Sequence, residues 1–162
     1  MPTHTRTDVI RRHDIPAEVL AMGEMAAPDY VDLFVATTPA ALQASPEQWA
    51  RATMEGASEL GRFLAWQTVL ALQLERGFSP ERIAGWRIAH RGDTWIRVEA
   101  SSWCMTANIV FALEASQVSF ATFIGYDRPV ARLLWRPVSA VHRAVAPDFL
   151  RDGVRRIAES SG

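Results

Sequence analysis

The chain has 162 residues, of which 49% are hydrophobic and 22% charged, and its formal net charge is −1. That length suits one domain with a core of its own, the composition is globular rather than disordered, and the near-neutral balance gives no reason to expect nucleic acid. All 17 basic residues are arginine, which excludes a Schiff-base lysine and a phosphate-loop lysine.

The opening residues, MPTHTRTDVIRRHD, are polar and basic and carry no apolar core of a secretory signal. No apolar run reaches the roughly 18 residues of a membrane span. The single cysteine, Cys104, cannot form an internal disulfide and reads as a small apolar strand residue. A cytoplasmic protein without a membrane span is therefore expected. Residues 1–8 read as a loose arm and 9–159 as a single domain.

Pro16, Gly23 and Pro28 mark residues 9–28 as an irregular lead-in. The stretch DYVDLFVAT at 29–37 then alternates, with Tyr30, Asp32 and Phe34 on one side and Val31, Leu33 and Val35 on the other, and reads as the first strand. SPEQW opens a helix: Ser45 caps it, Pro46 suits its first position, and Gln48 completes a capping box. Leu60, Phe63, Leu64, Leu70 and Leu74 continue at helical spacing, Gly56 and Gly61 mark a bend that gives two helices, and Gly77 marks the stop.

Four strands follow as two antiparallel hairpins: 83–90 with 94–101 around RGD, and 103–113 with 118–126 around EASQ. RGD is explained by the turn, so adhesion is not needed to account for it. From Pro129 the period is helical again, with Leu134, Val138, Val141, Val145 and Phe149 on one line and Pro137 bending or restarting the helix. The order is one strand, two helices, a meander of strands and a long C-terminal helix. It predicts an α+β domain in which a curved antiparallel sheet wraps that helix and leaves a gap suited to a small apolar ligand.

In the second hairpin, Trp103, Met105, Ile109 and Phe111 share a core face with Val118, Phe120, Thr122 and Ile124, while Thr106, Asn108 and Ser119 read as solvated. In the first, Trp86, Ile88 and His90 fall on one face with Trp95, Arg97 and Glu99. Either that face lines a polar spot in the pocket, or Arg97 lies over Trp86 on an outer face with Glu99 in water.

The segment Ala131-Arg132-Leu133-Leu134-Trp135, then Pro137, then His142-Arg143, together with DYVDLF at 29–34, resembles an uncharacterised bacterial family within the START-like, or SRPBCC, helix-grip superfamily. Alanine stands here where that family has glycine before the arginine, and leucine where it has an aromatic before the tryptophan. Members occur alone or fused behind an epimerase-like NAD(P)-binding domain. The resemblance implies a helix-grip fold and leaves open a ligand carrier, a cyclase- or hydrolase-like enzyme, or a partner of an epimerase-like enzyme.

The histidines His4, His13, His90 and His142 match no zinc spacing, and no nucleophile elbow, phosphate loop or dinucleotide fingerprint occurs, so no metal or cofactor is expected. At about 100° per residue, Arg132, Trp135, Ser139 and His142 form a polar-aromatic line beside the Leu134/Val138 line. His142 is the acid–base candidate; its alternative role is to bond a carbonyl or strand side chain and fix the helix. Arg132 either anchors a ligand or pairs with Asp127 or Glu99. The candidate ligand-binding set is Trp86, Arg97, Glu99, Arg132, Trp135 and Ser139.

Overall fold

The computed structural model describes residues 6–55 and 79–162. Their elements are β1 (Val9–Arg12), α1 (Ala17–Met22), β2 (Tyr30–Thr37), a 3-10 turn (Ala41–Gln43), α2 (Pro46–Met54), β3 (Arg82–Ile83), β4 (Trp86–Arg91), β5 (Trp95–Ser101), β6 (Met105–Glu114), β7 (Gln117–Tyr126) and α3 (Val130–Ser160). The seven strands form one curved antiparallel sheet in the order β1-β2-β7-β6-β5-β4-β3. This is the α+β class expected from the sequence. The helix expected beyond Gly56, with its bend and its stop at Gly77, lies outside the described residues.

Local chemistry accounts for α2. The Ser45 hydroxyl accepts from the Gln48 N–H at 3.1 Å, and the Gln48 side chain accepts from the Ser45 N–H at 2.8 Å. Such a cap contributes about 1 kcal/mol. The helix packs Trp49, Ala50 and Met54 into the core and crosses α3 closely at Gly153, where a Cβ would stand 2.4 Å from Thr53 Oγ1.

The chain in α3 stays helical through Pro137 and Pro147. Pro137 lies on the exposed side, one turn beyond exposed Leu133, so the carbonyl it leaves unpaired is open to water. The buried stripe of α3 is Ala131, Trp135, Val138, Ser139, His142, Ala146, Leu150, Gly153, Val154 and Ile157. The expected core line is thus rotated: Val138 is buried but Leu134, Val141 and Val145 are only partly so, and of the polar-aromatic line Trp135, Ser139 and His142 are buried while Arg132 is exposed.

The β6–β7 hairpin has the expected register, with Phe111 opposite Phe120, Ile109 opposite Thr122 and Ala107 opposite Ile124. These side chains, with Phe34 of β2 and Ile96 and Val98 of β5, form the face packed against α2 and α3. Trp103 is not part of it; it is 57% exposed, beneath the Arg128 guanidinium.

The opposite face is not solvated as expected. Leu33, Val35, Val110, Ala121 and Phe123 are buried there beneath Ile15, Val19, Met22 and Met25. The lead-in is therefore ordered: β1 pairs with β2, Val9 opposite Ala36, and α1 covers the outer face. No side chain caps the N-terminus of α1. Its C-terminal end is pinned instead by the sheet, through Asn108 Nδ2 to the Gly23 carbonyl at 2.8 Å and an Arg97 guanidinium N–H to the Met22 carbonyl at 3.0 Å. Arg97 also pairs with Glu24.

The first hairpin differs from expectation in two places. Residues 83–90 are not one strand, because Ala84 and Gly85, with φ of 51° and 86°, turn the chain between β3 and β4. A two-residue turn with both φ positive matches strand twist. Further on, a bulge between Ile88 and His90 shifts the register, so that Ile88 opposes Val98 while His90 opposes Arg97. One extra residue reverses the alternation. Trp86 and Ile88 therefore point into the core, whereas His90, Trp95, Arg97 and Glu99 lie on the outer side. Arg97 sits over Trp95, 5.8 Å from its ring centre, and not over Trp86.

Candidate functional site

Strand β2 carries Tyr30, Asp32 and Phe34 on the helix-covered face, where Asp32 lies directly opposite Thr122 of β7. An aspartate in this position is unusual, because burying a carboxylate is costly unless it is partnered. Asp32 is 1% exposed. Its Oδ2 accepts the Tyr30 hydroxyl at 2.7 Å and lies 3.0 Å from His142 Nε2. The imidazole contact has the distance of a charge-assisted pair, although the ring N–H is not aligned along it.

Helix α3 delivers the other half. His142, 4% exposed, meets the edges of Phe34 and Phe120 at ring separations of 6.5 and 6.2 Å and lies 5.8 Å from the Trp135 ring. Trp135 in turn packs edge-on against Tyr30 at 5.3 Å. Phe34, Phe120 and Trp135 thus surround an imidazole that, with the Tyr30 hydroxyl, approaches the Asp32 carboxylate. Burial, then the Asp32 charge and the hydrogen bond to it, raise the Tyr30 hydroxyl well above the usual tyrosine range; Arg143 opposes part of that rise. Tyr30 is half-buried, so the group approaches the surface on its side.

Asp32 Oδ1, Thr122 Oγ1 and Trp135 Nε1 are buried with no hydrogen-bond partner. A buried polar atom left unpaired costs about 1–3 kcal/mol. All three belong to side chains at the interface between the sheet and α3.

Of the residues chosen from the sequence, Trp135, Ser139 and His142 come together on the sheet-facing side of α3. Ser139 is occupied by its own helix, donating to the Arg136 carbonyl at 2.8 Å. Trp86 is a core residue on the same side of the sheet, separated by the sheet from Arg97 and Glu99. Glu99 contacts Arg87, and Arg97 at 4.0 Å. It lines an open polar cleft of about 470 Å³ with Arg82, Arg87, Ala100, Ser101 and Thr106. Arg132 is exposed in the first turn of α3 and pairs with neither Asp127 nor Glu99.

Tyr30, Asp32 and Thr122 were not among the chosen residues. Their signal was present: the alternation of 29–37 placed an aspartate on the face of Phe34, and a charged residue on an apolar strand face asks for a partner. Among the described residues, no three His, Cys, Asp or Glu side chains are grouped to hold a metal, and no helix is long and apolar enough to cross a membrane. No protein-family model matches the chain, and a search of curated proteins found no match.

Proposed function

We propose that the protein binds a small amphipathic molecule between the sheet and α3, as a START-like, helix-grip ligand carrier. The observation behind this reading is the group of buried, unpartnered polar atoms on Asp32, Thr122 and Trp135 around the Asp32–His142 contact. A bound polar group would relieve all three, and Phe34, Phe120 and Ile124 supply an apolar surround. The order of a strand, α2, a meander of strands and a long last helix supports the helix-grip assignment. Native mass spectrometry of the protein purified from its host, followed by thermal-shift titration with extracted small molecules, tests it. A retained amphipathic molecule that raises the melting temperature is expected. A ligand-free interior filled by ordered water, with no compound raising that temperature, would overturn it.

The 3.0 Å approach of His142 to Asp32 favours a second reading, an enzyme of the cyclase or hydrolase kind. There the imidazole would move a proton on the bound molecule while Asp32 orients the ring. His142→Gln would then keep ligand binding and abolish turnover. Equal turnover of any substrate found by wild type and variant would remove this reading.

A further inference from the structure

The same three atoms restrict the chemistry of the ligand's buried end, an inference that rests on the binding reading above. A carboxylate oxygen can only accept a hydrogen bond, an indole N–H can only donate, and a hydroxyl does both. Asp32 Oδ1, Trp135 Nε1 and Thr122 Oγ1 supply one of each. They belong to one neighbourhood: Asp32 faces Thr122 across the sheet, and Trp135 packs on both Tyr30 and His142, which both approach Asp32.

A group that satisfies Asp32 Oδ1 and Trp135 Nε1 together must bring both a hydrogen and a lone pair. A hydroxyl or a primary amide has both. A carboxylate has no hydrogen to give and would place a second negative charge beside Asp32. An ammonium has no lone pair for the indole. Arg143 acts on the Tyr30 hydroxyl and supplies no hydrogen to Asp32 Oδ1. We infer that the site selects a neutral alcohol or amide head group, which donates to Asp32 Oδ1 and accepts from Trp135 Nε1, with the Thr122 hydroxyl as a third contact.

Octanol, octanamide, octanoate and octane share one tail and differ at the head. Their binding to the full chain would be measured at neutral pH, where octanoate is ionised. Isothermal titration and thermal shift would serve as readouts. Octanol and octanamide are expected to bind about tenfold more tightly than octanoate or octane, the worth of one or two buried hydrogen bonds. Trp135→Phe keeps the ring and removes the N–H. It is expected to bring octanol to within about threefold of octane and to leave octane unchanged. Thr122→Val, which preserves shape, reads the third contact, and Asp32→Asn, if it folds, should raise octanoate relative to octanol. Octanoate binding as tightly as octanol, or an alcohol preference undiminished in Trp135→Phe, overturns the inference. Equal binding of all four overturns it while leaving the proposal of a bound amphipathic molecule standing. Binding of none overturns both readings.

Discussion

Removing Asp32 alone should harm the fold more than removing it together with the Tyr30 hydroxyl and the His142 imidazole. In Asp32→Ala, the Tyr30 hydroxyl loses the acceptor it holds at 2.7 Å, and His142 loses the carboxylate 3.0 Å away. Both partners stay where they are, with His142 on the covered face, 4% exposed. Leaving a buried donor without its acceptor costs about 1–3 kcal/mol, and more where the lost acceptor is a charged group. A domain of this kind has only about 5–15 kcal/mol in total, so the single variant should be marginal. Replacing all three is a different perturbation. Tyr30→Phe, Asp32→Val and His142→Leu together remove the carboxylate and the two groups that approach it and keep roughly the volume. Such exchanges of a buried ionic group for apolar side chains are often neutral or stabilising, so the triple variant should fall within about 1–2 kcal/mol of wild type.

Guanidinium unfolding followed by tryptophan fluorescence measures both, with Trp135 lying against the altered side chains. The single changes should sum to far more than the triple, the signature of one coupled group. A triple variant as unstable as Asp32→Ala would refute the reasoning, since the polar group would then be a structural strut. A stable triple variant that no longer binds octanol would separate the group's role in binding from folding.

Three further outcomes follow from other parts of the molecule. Gly23→Ala places a Cβ 2.4–2.6 Å from the ring of fully buried Phe123; it should cost about 1–3 kcal/mol in denaturant unfolding, with part of the loss recovered by adding Phe123→Leu. The chain's two tyrosines both have raised pKa values, Tyr30 through burial and then Asp32, and Tyr126 through burial and then Asp29. Their stabilisation is complete below the unfolded value of about 10 and is lost as pH rises through the folded values. Phenolate absorbance should therefore stay low in the native protein above about pH 10 and rise with unfolding, whereas in denaturant both tyrosines titrate normally. Burial alone would raise the Glu47 pKa, but hydrogen bonds from Arg91 and Arg51 outweigh it and hold the carboxyl low. Wild type should be more stable than Glu47→Gln at neutral pH, and the gap should close as pH falls below about 4; a gap that persists in acid would contradict this.

What was legible in the sequence was local. Ser45 and Gln48 are three residues apart, and the capping box they form needs nothing else from the chain. The β6–β7 register was legible because alternation and a short turn agree on pairing Phe111 with Phe120. The first hairpin was not, since its facing depends on an unannounced bulge after Ile88 and on Ala84 taking a positive φ. The lead-in was missed for a related reason: β1 is four residues long, and α1 is held by side chains of β5 and β6 far along the chain.

The site shows the same limit most sharply in α3. Ranking side chains by hydrophobicity turns Leu134, Val141 and Val145 inward, yet the helix buries Ser139 and His142 and leaves Leu133 72% exposed. Full burial of a leucine is worth about 1.5–3 kcal/mol, so this orientation forgoes real apolar gain. Part of the compensation is steric, because Ala131, Ala146 and Gly153 are small enough to let the helix lie close to its neighbours. The remainder involves Asp32, more than a hundred residues earlier, whose buried carboxylate is approached by the Tyr30 hydroxyl from its own strand and by His142 from this face of α3. Helical periodicity alone finds the two candidate stripes but cannot choose between them, because the deciding charge sits on another element. That the chosen stripe still leaves Asp32 Oδ1 and Trp135 Nε1 unpaired is the observation behind the proposal that the sheet–helix interface takes up a ligand.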